Sequence, residues 1–261
     1  NFAALAARQN YCRPEIDLSG ELHITLSPDF APMEFIDSSK DGQEQYVGLD
    51  VFLAKYIADY IGVKLVIEPM SFDACQTAVY TASVPMSVSG YVWIEERAES
   101  YEISDYYYDG DNKIEPVILI RAADAEKYTS SEDFNGVDVG AQNASLQMQL
   151  VTSQLPDANP VAVGDVGTGV LELQNGSIEA LAVAKGNAEI IMDANPDLVL
   201  CPWKFTITEE TEAFVILITK GETALLNVVN EALAKAYSEG MYGAWHDEAV
   251  ALAKVVNGTE E

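Results

Sequence analysis

A chain of 261 residues with 42 acidic and 14 basic side chains carries a formal net charge of −28, a sign that repels phosphate backbones and excludes nucleic acid as a partner. Hydrophobic residues at 49% and charged residues at 21% are ordinary globular values, which exclude disorder, collagen and coiled coil and leave one large core or two moderate ones. Apolar runs such as 214–218 and 178–184 are far shorter than the roughly 20 residues that a helix needs to cross a bilayer.

Residues 1–19 show no clear periodicity, and no basic region is followed by an apolar stretch and a small-residue cleavage site, so any export signal is expected to have been removed or not included. A strand is predicted at 21–26. Leu49, Phe52, Leu53, Tyr56, Ile57, Tyr60 and Ile61 then recur at three- and four-residue spacing, an amphipathic helix that Gly62 stops and that feeds a strand at 64–68. A helix from Asp73 and a short buried strand at 86–89 lead into a loop and helix start around Arg97. Beyond the Tyr106–Tyr108 cluster, the pattern gives strands at 116–120 and 137–141, a helix at 145–154, a strand at 160–163, a helix at 166–174 ended by Asn175-Gly176, and a strand at 178–183. The chain closes with a strand at 214–219, a helix at 222–239 stopped by Gly240, and a helix containing Trp245. Repeated strand–helix alternation predicts an α/β protein of parallel sheets covered by helices.

Catalytic signals are missing. Cys12, Cys75 and Cys201 form no metal-ligand spacing, and His23 and His246 lie far from them in sequence. No G-x-S-x-G elbow and no G-x-x-x-x-G-K loop occurs, and GDVGTG at 164–169 has its glycines in the order G-x-x-G-x-G, an ordinary turn into a helix. Three thiols allow one internal disulfide in three pairings, and the sequence does not choose among them. The acids are spread along the chain, which favours a solubility role for the charge over attraction of cationic solutes. No metal and no cofactor is expected.

The run SVSGYVWIEERAESYEISDYYYDG at 87–110 resembles a ligand-binding signature of extracellular solute-binding proteins of family 3, the substrate-binding proteins of amino-acid ABC importers. That signature is usually written S-G-x-T-x-T-x-E-R, a spacer, and F-S-D-x-Y-Y. PDFAPMEFID at 28–37, GLDVFLAKYIADYIGVKL at 48–65 and the closing FVILITKGETALLNVVNEALAKAYSEGMYGAW fit in the same order, so the resemblance covers about Glu21 to Leu252. It implies a two-lobed type II periplasmic-binding-protein fold, each lobe a mostly parallel sheet under helices. One lobe would be formed by residues 1–112 and 213–261 and the other by the inserted 113–212, joined by two hinge strands. A monomer that meets an ABC permease outside the cytoplasm, closes on a small carboxylate-bearing solute and catalyses nothing is the implied function. The alternatives on the same fold are a ligand-sensing receptor domain and, with less support, a dehydratase-like enzyme. On this lobe assignment a Cys75–Cys201 bridge would staple the lobes and is disfavoured, whereas Cys12–Cys201 would tie down the amino-terminal tail.

The resemblance also implies a site. Arg97 falls at the arginine that grips the solute carboxylate, a role suited to the paired planar donors of guanidinium; the competing reading is a surface arginine paired with Glu95, Glu96 or Glu99. Phe30 and Phe72 fall at the two aromatic wall positions, against the ordinary alternative of core aromatics. Ser89 and Gly90 would offer main-chain groups, Gly90 allowing close approach of the backbone. Ser27 and Asp29 read as turn residues. In the second lobe Gln142, Asn143 and Ser145 occupy the helix-start loop that would close on the solute, with Ser145 equally suited to capping the helix. Two positions depart from the family: Val92 stands where a threonine commonly assists the carboxylate, and Ala184, with Lys185 beside it, where an aspartate commonly neutralises an α-ammonium. A buried ammonium needs a counter-charge. Either another acid supplies it, Glu212 or Asp165, or the solute carries no α-ammonium.

Overall fold

The computed structural model describes residues 20–108, 115–207 and 213–256. In chain order the elements are β1 (Glu21–Leu26), β2 (Asp29–Phe30), β3 (Glu34–Ile36), β4 (Tyr46–Val47), α1 (Leu49–Ile61), β5 (Lys64–Pro69), α2 (Phe72–Tyr80), β6 (Met86–Val92), α3 (Glu95–Ser100) and β7 (Glu102–Ile103). They continue with β8 (Pro116–Arg121), β9 (Asp138–Gln142), α4 (Leu146–Gln154), β10 (Asn159–Val163), α5 (Val166–Asn175), β11 (Ala180–Ala184), α6 (Lys185–Ala194) and β12 (Leu198–Leu200), and end with β13 (Phe214–Ile218), α7 (Thr223–Ser238) and α8 (Met241–Val256). None of the described helices is long and apolar enough to cross a membrane.

Two five-stranded sheets organise the molecule, in the orders β5-β1-β6-β13-β7 and β10-β9-β11-β8-β12, beside a small sheet β2-β3-β4. The expectation of parallel sheets needs refining, because each large sheet is mixed. β1 runs parallel to β5 and β6, while β13 is antiparallel to both β6 and β7. In the second sheet β9 is parallel to β10 and β11, and β8 is antiparallel to β11 and β12. The reason is connectivity. β8 and β13 are the strands by which the chain enters the second sheet and returns to the first, so each runs against the βαβ direction of the sheet it joins. The expected boundaries at 112/113 and 212/213 touch residues 109–114 and 208–212, which lie outside the described residues.

Period-two alternation builds a core on each side of each sheet. In β13, Phe214, Ile216 and Ile218 face the α1–α7–α8 side with Leu22, Ile24, Leu53 and Leu233, and Val215 and Leu217 face Cys75, Val79 and Tyr91. In β8, Ile118 and Ile120 join Tyr128, Phe134 and Val139, and Val117 and Leu119 join Leu173, Leu181 and Val183. Cys75 and Cys201 are buried, free thiols in separate cores; Cys12 lies outside the described residues. Helix boundaries follow local chemistry. Gly62 ends α1 in the left-handed region at φ 86°, its N–H donating to Ala58 O, and Asp165 caps α5 by accepting from the Thr168 N–H.

Candidate solute-binding site

The carboxyl end of β6 carries the chain into α3 and buries Arg97, which is 3% exposed. Its guanidinium donates from Nε to Gln76 Oε1 at 3.3 Å, from Nη1 to the Val92 carbonyl at 2.9 Å and from Nη2 to the Ala144 carbonyl at 3.1 Å. All three acceptors are neutral, so the pairing with Glu95, Glu96 or Glu99 is not what holds this side chain. A guanidinium has five N–H donors, and among the described residues one on each terminal nitrogen is left for an incoming group. Burial lowers its pKa to about 10, which keeps it charged at neutral pH. The Phe72 and Tyr91 rings, stacked with centroids 5.0 Å apart, lie 5.7 and 5.2 Å from the guanidinium carbon, a cation–π slot that fixes its orientation.

Arg97 opens onto a cleft between the two sheets whose walls also include Phe30, Phe72, Gly90, Val92, Gln142, Ser145 and Ala184. Gly90, at φ 57°, is required: a Cβ there would lie 2.6 Å from Phe30 Cε1. Two predicted residues stand off the walls. Ser89 is buried beneath them, donating to Glu34 Oε1 at 2.6 Å and accepting from the Ser27 N–H. Asn143 donates to Asp73 Oδ2 at 3.1 Å. Glu212 lies outside the described residues. Phe214, edge-on to Phe30 with centroids 6.4 Å apart, also lines the cleft; its position in an all-apolar strand gave no hint of this.

From the second sheet, Ser145 Oγ caps α4 by accepting from the Met148 N–H, and Ala144 is held in the left-handed region at φ 59°, turning its carbonyl toward Arg97 and Gln76. Hydrogen bonds cross the cleft elsewhere too. Asp29 Oδ2 accepts from Gln142 Nε2 at 2.9 Å and from the Val166 N–H at 2.8 Å, Asn187 Nδ2 donates to the Ala31 carbonyl at 2.9 Å, and Gln149 Nε2 donates to Glu96 at 3.2 Å. Asp29 is therefore more than a turn residue, since it lines the cleft and joins the start of α5 to β2. The two lobes are drawn together around a charged, aromatic-walled cleft with no nucleophile–base pair among the described residues.

The sequence pattern of the bacterial extracellular solute-binding proteins, family 3, matches residues 22–249. The chain belongs to this family. Family 3 proteins bind solutes and are not enzymes. Among its relatives are the putative ABC transporter arginine-binding protein 2 of Escherichia coli strain K12, 25% identical over 225 residues with 85% of this chain and 87% of the relative covered, and the probable histidine-binding protein of Neisseria gonorrhoeae, 26% identical over 226 residues with 84% and 79% covered. The fold is similar to that of an amino acid ABC transporter substrate-binding protein, AbpA from Streptococcus pneumoniae, in a crystal structure bound to L-arginine, with TM-score 0.83, 27% identity, and 91% of this chain and 98% of that one covered. The type II periplasmic-binding-protein fold expected from the sequence is thereby shown.

Within this family 3 chain the two departures acquire a geometry. Val92 lends its carbonyl to Arg97. Ala184 faces the cleft, and the neighbouring Lys185 donates to Glu115 at 3.1 Å, so its charge is already partnered. Asp165 is committed to Thr168, whose N–H and hydroxyl it accepts at 2.7 Å each, and it is absent from the cleft walls, which removes it as a counter-charge for an ammonium. Among the described residues, the acids on the walls are Asp29 and Glu34. Glu34 is 1% exposed, and nothing in the sequence marks it, because its burial depends on the β2–β3 hairpin and on Asp50 and Ser89 from elements distant in sequence.

Proposed function

We propose that this family 3 protein is the extracytoplasmic solute receptor of an ABC importer, binding an α-amino acid by closure of lobes 1–112 with 213–261 and 113–212, and that Arg97 grips the carboxylate. The observation that carries this reading is the buried guanidinium at the wall of the cleft, braced by neutral acceptors and two rings, with one N–H on each terminal nitrogen left free by the described residues. A carboxylate fits two such donors. Phe30, Phe72 and Phe214 wall the apolar part of the solute, and Gln142 and Ser145 approach from the other side. The Asp29 carboxylate on the cleft wall and the arginine- and histidine-binding names of the relatives make L-arginine the first amino acid to test. A permease that docks the closed form is the expected partner of the monomer.

Titration calorimetry of ligand-stripped protein with L-arginine, for wild type and Arg97→Ala, tests this. Loss of a charge-assisted pair of about 1.5–3 kcal/mol weakens binding by roughly ten- to a hundred-fold. Unchanged affinity in Arg97→Ala overturns the assignment.

A further inference from the structure

Gln76, on α2, is not among the residues that line the cleft, yet its amide is a point at which Arg97 meets the opposite lobe. Oε1 accepts the Arg97 Nε–H at 3.3 Å. Nε2 donates to the Phe72 carbonyl, one turn back along the same helix, at 3.2 Å and to the Ala144 carbonyl at 3.3 Å. The Ala144 carbonyl also takes Arg97 Nη2 at 3.1 Å, so the arginine, the glutamine and the loop before α4 close a triangle of hydrogen bonds across the two lobes. An amide carries an acceptor and donors on one head. These bonds fix which end is which, because the amide turned over would set N–H against N–H and oxygen against carbonyl oxygen. Ala144 gives a second, independent sign. It is held at φ 59°, a region that residues other than glycine occupy at a cost and keep where their surroundings over-determine it. Both donors to its carbonyl come from the other lobe, and the preceding Asn143 is tied to α2 as well, through Asp73.

Resting on the assignment of Arg97 to the solute carboxylate, we infer that Gln76 is a positioning residue for that grip, aiming the guanidinium and tying it to the Ala144 carbonyl as the lobes close. The chemistry favours an amide over an acid at this place. A carboxylate would hold Nε more strongly, as charge-assisted bonds do, but it would neutralise Arg97 and repel the Ala144 carbonyl. Gln76 orients the arginine and leaves its charge to the solute. The other braces on Arg97, the Val92 carbonyl and the Phe72 and Tyr91 rings, all belong to its own lobe, so Gln76 is the brace that also reaches the second.

The test uses the full chain stripped of solute, L-arginine as the probe, and the variants Gln76→Met, Gln76→Glu, Arg97→Ala and Gln76→Met with Arg97→Ala. Gln76→Met should weaken L-arginine by about five- to tenfold in the wild-type background and by less than about twofold in Arg97→Ala, because a residue that acts through Arg97 then has nothing to aim. Gln76→Glu keeps the shape of the side chain and should weaken L-arginine too, where a merely structural role would leave it unchanged. Without solute, the Arg97 Nε–H proton in nuclear magnetic resonance should exchange slowly with water in wild type and Gln76→Glu and quickly in Gln76→Met. Wild-type affinity in either Gln76 variant, the same cost of Gln76→Met in both backgrounds, or equal exchange of the Arg97 Nε–H in wild type and Gln76→Met overturns the positioning role. Undiminished L-arginine binding by Arg97→Ala overturns the carboxylate assignment instead, and the exchange measurement, which needs no solute, still decides whether Gln76 holds Arg97.

Discussion

Glu34 and Asp50 are two carboxyls sealed in one place, and their inequality comes from their donors. Asp50 receives the Gly90 N–H at 2.7 Å and the Tyr107 hydroxyl at 2.9 Å, whereas Glu34 receives one hydroxyl, so the negative charge settles first on Asp50. Even so, burial pushes Asp50 up to about 7. A carboxyl whose pKa is raised on folding binds more protons in the native than in the unfolded state, so stability falls as pH rises from the ordinary carboxylate range through about 7. Carboxylates lowered by surface partners, such as Asp37 and Asp133, act with the opposite sign but below that range. The thermal midpoint of ligand-free protein should therefore drop by a few degrees between about pH 4.5 and 7.5, since about 1 kcal/mol moves a chain of this size by roughly 2–4 °C. Asp50→Asn should flatten the fall; a profile as steep as wild type in that variant would exclude the pair as its source. None of this was legible in PMEF or GLDV, because an acid in an amphipathic stretch shows no sign of which neighbours will seal it.

Among the elements, α1 was legible end to end. Its apolar positions recur at helical spacing, Gly62 stops it, and Leu49, Leu53, Ile57 and Ile61 are buried as that spacing requires. What precedes it was less visible. Gly48 sits at φ 117°, and a Cβ there would fall 2.3 Å from the Met33 carbonyl oxygen, a backbone atom tied by the Asp50 N–H at 2.8 Å. Gly48→Ala should cost about 3 kcal/mol, combining strain in a region closed to L side chains with displacement of that backbone, and a denaturant titration would read it as a lower midpoint. Because Met33 precedes Glu34, solute affinity should fall as well; an unchanged midpoint would show that the hairpin yields freely. The two- and three-residue strands β2, β3, β4, β7 and β12 left no periodic trace, since period-two alternation needs about four residues to be seen. The helix α6 was missed for another reason: it opens on Lys-Gly-Asn directly after a buried strand, with no capping side chain.

Across the whole molecule, a few polar groups reach from one lobe to the other. Asp29 is the most connected of them, taking the Gln142 side chain, the Val166 N–H and the Ser27 hydroxyl, and placing its carboxylate at the start of α5, where the helix dipole favours negative charge. Asp29→Ala should shift the protein toward an open form, raising the radius of gyration in solution scattering without solute and weakening L-arginine by about tenfold, because the closed state must then be populated against a larger gap. Superimposable scattering from wild type and Asp29→Ala would remove Asp29 as the latch.

The sequence by itself determined the α/β alternation, most long helices and strands, the family, and the positions of Arg97, Phe30, Phe72 and Gly90 in the cleft. Local periodicity and short ordered motifs survive any arrangement of the rest of the chain. Tertiary structure alone decided which of the described acids line the cleft. Asp165 spends its oxygens on its own helix and Lys185 is neutralised by Glu115, while Glu34, Asp29 and Asn187 meet in one cleft from both lobes. Long-range packing fixes burial and donor supply, and these two quantities turn a carboxylate into a binding group or a cap.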